Sequence, residues 1–267
     1  MYKRMNEQLQ KEGAMALVTG ASSGIGLAYA RELARRGYDL LLVSNEQEQI
    51  GTVAEELAAA FGVKTIPLCM DLARSEAARE LYEYCEREKL QIGILVNNAG
   101  IFFFDDLTEV APERIETMLL LHIRTVTLLC RYFGAAGYIL NMSSLSAWTP
   151  APGISVYAAS KSYIRKFSQM LRYELHQYGV GVTTVCPGAI ATGLYNLSDY
   201  YQRLALRLGV MMKPERLARK GLRAMFARRD YILPGAVNRF FVLALYLLPV
   251  QLIYYIKEHT KLYRYGR

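Results

Sequence analysis

A tyrosine and a lysine four residues apart, Tyr157 and Lys161, follow a serine, Ser144, that lies thirteen positions before the tyrosine. Four residues is about one helical turn, so the phenol and the ammonium leave the same face of a helix. A cation beside a phenol favours the phenolate and draws its pKa from about 10 toward neutrality, where the group can exchange protons with a reacting oxygen. Such a pair is common by chance. It gains meaning from Thr19-Gly20-Ala21-Ser22-Ser23-Gly24-Ile25-Gly26 far upstream. Glycines at this spacing permit a tight turn and a close backbone approach to a pyrophosphate, which then faces the N–H groups that open a helix. The turn lies between a short apolar run and an amphipathic stretch, the context a dinucleotide cradle needs. Its candidate contacts are Thr19, Gly20, Ser22, Ser23, Gly24, Ile25 and Gly26.

A carboxylate about twenty positions past such glycines binds the ribose 2′-OH of NAD, whereas a nearby arginine accommodates the 2′-phosphate of NADP. The corresponding positions are Ser44 and Asn45, neither acidic nor basic. The missing carboxylate removes repulsion toward a phosphate and favours NADP(H) over NAD(H). Asp71, with Leu72, falls at the end of a third apolar run, where it can hydrogen-bond an adenine or cap the following helix.

Short apolar runs at 14–19, 39–44, 64–70, 92–97, 137–142 and 181–186 read as buried strands. Between them, helical stretches are expected near 24–36, 46–61, 75–89, 112–133 and 155–178. Strands that are apolar throughout, alternating with helices, predict an α/β fold: a doubly wound parallel sheet of Rossmann type with helices on both faces. Gly37, Gly62 and Gly179 stand where helices should end. Residues 188–212 read as a polar and aromatic loop, 214–229 as a helix and 231–234 as a short last strand. The domain spans 14–235, between an N-terminal extension (1–13) and a C-terminal tail (236–267).

The length of 267 residues suits one large domain, and 52% hydrophobic with 21% charged residues excludes a disordered chain. Cys69, Cys85, Cys130 and Cys186 show no CxxC spacing, so buried free thiols are expected, without disulfides or a metal site. Residues 1–13 are polar and charged with no apolar run, which predicts no secretory signal and a cytoplasmic chain. The net charge of +8 is uneven: residues 203–267 carry fourteen Lys/Arg against three Asp/Glu. No nucleic-acid motif accompanies this basic third, and its apolar neighbourhood points to a membrane surface instead.

Together these residues resemble the short-chain dehydrogenase/reductase family over about 14–235. The matching pieces are TGASSGIG at 19–26, Asp71, NNAG at 97–100, the serine of NMSS at 141–144, YAASK at 157–161 and PGAIAT at 187–192. The resemblance implies hydride transfer between a nicotinamide and a carbonyl or alcohol carbon. Tyr157 would be the general acid/base, Lys161 would lower its pKa and hold the nicotinamide ribose, and Ser144 would orient the carbonyl. Asn97, Asn98, Ala99 and Gly100 would line the cofactor and brace the sheet; Pro187, Gly188, Ile190 and Thr192 would cup the nicotinamide. The thirteen-residue offset favours Ser144 over Ser143. One position departs: where the family places an asparagine that extends the proton relay, this chain has His122, which can hold a water or relay a proton itself, or be a hydrogen-bonded core histidine. Homo-oligomers are expected by the same resemblance.

Bulky residues where the family builds its substrate pocket, Phe102, Phe103, Phe104, Trp148, Ile154, Leu194, Tyr195 and Leu197, predict an apolar small-molecule substrate: a long-chain 3-oxoacyl derivative, a sphingoid ketone or a steroid. The alternatives are a catalytically silent dinucleotide-binding sensor or scaffold, and a reductase of a sugar or small polar ketone. The apolar segment 240–256 can pack on protein, lie in a membrane interface or span a bilayer. Pro249 breaks it into shorter pieces and disfavours spanning. An interfacial position would give peripheral membrane association through the tail.

Overall fold

The structure is a computed structural model of the chain and describes residues 13–149, 152–192, 203, 205–247, 251, 252 and 259. The strands in chain order are β1 (Met15–Thr19), β2 (Leu40–Ser44), β3 (Thr65–Cys69), β4 (Ile92–Asn97), β5 (Tyr138–Met142), β6 (Gly181–Val185), β7 (Ala189–Ile190), β8 (Met211–Met212) and β9 (Tyr231–Ile232). Seven of them form one parallel sheet in the order β3-β2-β1-β4-β5-β6-β9. The helices are α1 (Gly24–Ala34), α2 (Gln47–Phe61), α3 (Ala77–Arg87), α4 (Pro112–Leu119), α5 (Val126–Tyr132), α6 (Ser155–His176), α7 (Pro214–Phe226) and α8 (Ala236–Leu247).

Alternation explains why the central strands are apolar at every position. Leu40 and Leu42 of β2 face a core shared with Tyr29, Leu33, Ile50, Leu57, Leu217 and Leu222 of α1, α2 and α7. Leu41 and Val43 face the opposite core, with Leu81, Leu129 and Leu171 of α3, α5 and α6. All four β2 side chains are fully buried. Truncating one such leucine to alanine costs about 2–5 kcal/mol, so the sheet's centre tolerates little change. β3 lies at one edge, half-exposed, and carries Pro67, a residue that a central strand would not accept. Gly37, Gly62 and Gly179 all adopt the left-handed backbone (φ +81°, +68° and +71°) that ends a helix at low steric cost.

Two stretches differ from expectation. The helix expected over 112–133 is interrupted by a π-helical turn, Leu120–Thr125, which contains His122. Met118, Leu119, Leu120 and Leu121 are apolar at every position, so the pattern does not reveal a change of phase there. Within 188–212, β7 and β8 pair in parallel through Ala189 and Met211, Ile190 and Met212. Two residues per strand are too few to show alternation. Leu194, Tyr195 and Leu197 lie outside the described residues, as does most of 248–267. Cys85, Cys130 and Cys186 are buried free thiols, while Cys69, expected to be buried, is exposed on the edge strand.

Between β4, β5 and α6 lies a buried polar cluster. Asn97 and Asn141 sit opposite each other in the ladder. The Asn97 amide donates to Asn141 Oδ1 at 2.8 Å, and the Asn141 amide donates to Ser168 Oγ at 2.9 Å. Cys130 Sγ touches both amides.

Candidate active site

The sheet order reverses between β1 and β4, and ligands of open α/β sheets bind at the carboxyl ends of strands beside such a point. A cleft of about 900 Å³ opens there, lined from Ser44 and Asp71 at one end to Ser144 and Tyr157 at the other. Its floor is the glycine turn between β1 and α1. Gly20 has φ +64°, and a Cβ on it would stand 3.0 Å from the Ala99 backbone. A Cβ on Gly26 would stand 1.9 Å from the Gly20 carbonyl oxygen, so only glycine lets α1 approach the turn. No side chain caps the N-terminus of α1, and no acid occupies its first turn. Its N–H groups and the positive end of its dipole are therefore left to an anion. Space, cradle and donors fit a dinucleotide.

Thr19 and Gly26 serve the cradle from behind rather than from the cleft wall. Thr19 is buried; its hydroxyl donates to the Val96 carbonyl and accepts from the N–H groups of Asn98 and Ala99, each at 3.0 Å. The Asn98 amide returns to the Thr19 and Gly20 carbonyls. These bonds join the ends of β1 and β4, and thereby set the glycine turn against Ala99 and Gly100. Gly20, Ser22, Ser23, Gly24, Ile25, Asn98, Ala99, Gly100, Pro187, Gly188, Ile190 and Thr192 all line the cleft, as do Ser44, Asn45, Asp71 and Leu72. Ser44 donates its hydroxyl to Ser22 Oγ at 2.8 Å, tying the second strand to the glycine turn. Asp71 accepts from the Ala73 N–H at 2.9 Å and stands well before α3, so it closes a turn and does not cap that helix. Glu46 also lines this end of the cleft, exposed, and escaped the sequence reading, which stopped at Asn45.

At the other end α6 presents Tyr157 and Lys161 to the cleft. The Lys161 ammonium is buried, donates to the Met142 carbonyl at 3.1 Å and lies 5.5 Å from the centre of the Tyr157 ring. Burial pushes its pKa down to about 8. A buried cation this close to a phenol is the field that favours phenolate. Ser144, half-buried, accepts from the Ser146 N–H at 3.1 Å, which starts the short 3₁₀ turn Leu145–Ala147. Ser143 spends its proton on the Lys161 carbonyl at 2.7 Å, so of the two serines Ser144 has the hydroxyl proton to offer a ligand.

His122 does not line the cleft; it is fully buried behind it. Its Nε2 accepts from the Ile101 N–H at 3.1 Å, which leaves the proton on Nδ1. Nδ1 then donates to Ser160 Oγ at 2.9 Å, and that hydroxyl donates to the Tyr157 carbonyl at 2.8 Å. Burial first, and the Lys161 charge second, hold the imidazole pKa well below its usual value. His122 is therefore neutral. Gly100 makes room for it, because a Cβ there would stand 2.8 Å from Nε2. The sequence reading missed Ser160 as a partner, although it sits one residue before Lys161.

Of the bulky residues expected at the substrate end, Phe102 lines the cleft and meets the Tyr157 ring edge-on at 4.9 Å. Phe103 instead packs in a small core with Val110 and Met118. Phe104 packs over Gly153, and Trp148 lies under the Arg165 guanidinium with the Tyr231 ring tilted beside it, outside the cleft lining. Ile154 stands just before the first turn of α6. Ile101, Thr117, Leu121 and Met142 join Phe102 on the cleft wall. Among the described residues no group of three His, Cys, Asp or Glu could hold a metal.

A parallel sheet with this strand order, a glycine cradle at its reversal point and a Ser–Tyr–Lys set facing it define a dinucleotide-binding oxidoreductase fold. The family model for short chain dehydrogenases matches residues 14–199, and the chain belongs to the short-chain dehydrogenase/reductase family. It is 35% identical over 199 residues to a very-long-chain 3-oxoacyl-CoA reductase of Anas platyrhynchos, covering 70% of this chain and 62% of that protein. It is 32% identical over 206 residues to an inactive hydroxysteroid dehydrogenase-like protein 1 of Homo sapiens, covering 73% and 61%. The chain thus spans about three fifths of these relatives' length. Among solved structures, a short-chain dehydrogenase from Sphingobium yanoikuyae in complex with NADPH superposes with a TM-score of 0.74 at 30% identity, covering 86% of this chain and 92% of that one.

Proposed function

We propose that the chain is an NAD(P)(H)-dependent oxidoreductase that transfers hydride between a nicotinamide and the carbonyl or alcohol carbon of an apolar substrate. The observation that carries this reading is the buried Lys161 ammonium 5.5 Å from the Tyr157 ring, on the wall of a cleft that also presents Ser144. A bound nicotinamide supplies or accepts the hydride. In the reducing direction, Tyr157 gives its phenolic proton to the substrate oxygen, and Lys161 makes the resulting phenolate affordable by its charge. Ser144 donates a hydrogen bond to the same oxygen and stabilises charge as it develops. His122 acts as a positioning residue: both ring nitrogens are engaged, and through Ser160 and Ile101 it joins the first turn of α6 to the loop after β4.

NADP(H) over NAD(H) remains the proposed preference, supported by the neutral Ser44 and Asn45 and by the NADPH held in the Sphingobium relative's structure. Glu46 at the cleft's rim works against a 2′-phosphate and sets how strong that preference is. An apolar substrate, of long-chain 3-oxoacyl, sphingoid ketone or steroid type, is supported by Phe102, Ile101 and Leu121 beside Tyr157. The name of the avian reductase supports the same class, while the human relative, named inactive, keeps the silent dinucleotide-binding reading as the alternative. A homo-oligomer is supported by Tyr163, Met170 and Tyr173, which project from α6 into solvent. No described helix is long and apolar enough to cross a membrane. The proposed location is the cytoplasm, with peripheral association on the cytoplasmic face of a membrane, supported by the basic and apolar C-terminal third.

The test is Tyr157→Phe, assayed with apolar ketones and both reduced cofactors while cofactor binding is followed by fluorescence. Turnover should fall by about 10² to 10⁴ with binding retained, the range for removing a general acid. Wild-type turnover in the variant removes Tyr157 from the chemistry. Cofactor binding by a wild-type chain that turns over no ketone would favour the silent sensor.

A further inference from the structure

Beside β8, and sharing no lining residue with the dinucleotide cleft, lies a second cavity of about 430 Å³. Arg216 and Lys220, one turn apart on α7, form one wall; Val237 and Arg239 in the first turn of α8 form another; Met211 and Leu206 close it. A Cβ on Gly209 would stand 3.8 Å from Val237, which puts the turn before β8 directly against α8. These three elements therefore present one continuous face.

That face is unusual in two respects. Large apolar side chains stand in water on it: Leu208 is 62% exposed, Val210 47%, Val237 44% and Phe240 73%. Cations stand beside them, with Arg216, Lys220 and Arg239 lining the same cavity as Val237. Arg216, Arg219, Lys220 and Arg223 recur at helical spacing on α7, while Leu217, Ala218, Leu222 and Met225 bury the opposite stripe in the core. Among the described residues none of these four cations has an acidic partner. Like charges three and four residues apart on a helix repel, and α7 carries a single acid, Glu215. The face thus offers, among the described residues, positive charge without acidic partners beside exposed apolar surface.

A phosphate-rich nucleic acid would answer the cations and leave Phe240 and Leu208 against a polar backbone. A neutral apolar protein would cover the apolar side chains and strip water from the cations. An anionic bilayer answers both, because apolar side chains enter below the headgroups while Lys and Arg extend to the phosphates. We propose that the α7–α8 face docks the chain on an anionic lipid bilayer. The inference rests on the membrane part of the reading above and extends the contact from the start of the tail, which forms α8, to α7 and the turn before β8. Asn238 fixes the dock to the catalytic domain: it is buried, donates to the Pro234 carbonyl at 2.8 Å, and fills the space where a Gly188 Cβ would stand, 2.6 Å away. Gly188 lines the dinucleotide cleft, so the cleft's orientation to the bilayer follows from the dock.

The test is flotation of the full chain with vesicles of phosphatidylcholine alone or with added phosphatidylserine, at low and raised salt. The wild-type chain should float only with phosphatidylserine, and less as salt rises. Combining Arg216→Gln, Lys220→Gln and Arg223→Gln should weaken partition by roughly a hundredfold, given the contribution of each cation near an anionic surface. Phe240→Ser should weaken it while keeping the salt slope. Cofactor binding confirms that each variant is folded; should the triple variant fail this control, Arg216→Gln alone is read for a shallower salt slope. Undiminished flotation of the variants returns the contact to the part of the tail beyond α8 and overturns the docking face while leaving membrane association standing. No flotation of the wild-type chain overturns both, as does binding to nucleic acid in its place.

Discussion

Lys161→Met should make the fold more stable while it abolishes turnover. The ammonium is buried, and its pKa falls from 10.5 to about 8, chiefly because burial penalises the charged form. A shift of that size corresponds to about 3 kcal/mol by which the charged lysine weakens the fold at neutral pH. Methionine fills a similar volume without charge, but it loses the bond to the Met142 carbonyl, worth about 1 kcal/mol. The net gain is about 2 kcal/mol, or roughly 4–8 °C in Tm for a chain of this size. The sign against pH follows from linkage. The unfolded lysine keeps its proton up to about 10.5 and the folded one releases it near 8, so the wild-type chain gains stability between those values. The variant's advantage should be full below pH 8, shrink above it and reverse by about pH 10.5, where only the lost hydrogen bond remains. Thermal unfolding of both chains without cofactor, from pH 7 to 10.5, measures this directly. A variant no more stable than wild type at pH 7, or an advantage that does not change with pH, would refute the reasoning.

His122→Asn should keep most turnover and leave the pH profile of kcat/KM unchanged, since the imidazole is held neutral; a profile that loses a limb would restore His122 as a proton relay. His122→Phe should lower stability by about 1–3 kcal/mol, measured by denaturant unfolding, because the Ile101 N–H is left without an acceptor. Glu46→Gln should tighten NADPH by roughly twofold to tenfold with NADH little changed, as expected when an exposed like charge near a phosphate is removed in water; fluorescence titration decides, and equal shifts for both cofactors would remove Glu46 from selection. Gly26→Ala should abolish dinucleotide binding or folding, seen in the same titration with circular dichroism, because its Cβ would stand 1.9 Å from the Gly20 oxygen.

The sheet was legible because both its faces are covered: strands such as Leu40-Leu41-Leu42-Val43 are apolar throughout, and their ends fall within a residue or two of the expected positions. The glycine turn and the Tyr157–Lys161 pair were legible for a different reason, since their spacing is dictated by a pyrophosphate and by one helical turn. What escaped reading depends on contacts distant in sequence. Nothing local to Thr19 says that its hydroxyl serves the N–H groups of Asn98 and Ala99, nearly eighty residues on. The π turn at His122 depends on Ile101 and Ser160 in the same way. Phe103 and Trp148 look like pocket residues by position, and only packing sends them elsewhere.

The facing asparagines of β4 and β5 bear on how the chain finds this arrangement at all. Strands apolar on every side carry little information about register, because a slipped pairing buries nearly as much surface as the correct one. The Asn97–Asn141 pair breaks that degeneracy: any other alignment would break the bond between the two side chains and leave the Asn97 amide to find another acceptor in a dry interior. It acts as an index mark, and it sits where Asn98 leaves one strand and Ser143 follows the other. Replacing both asparagines with leucine would test this use of polarity, with the cost appearing as misaligned cofactor and substrate ends rather than as a lower melting temperature.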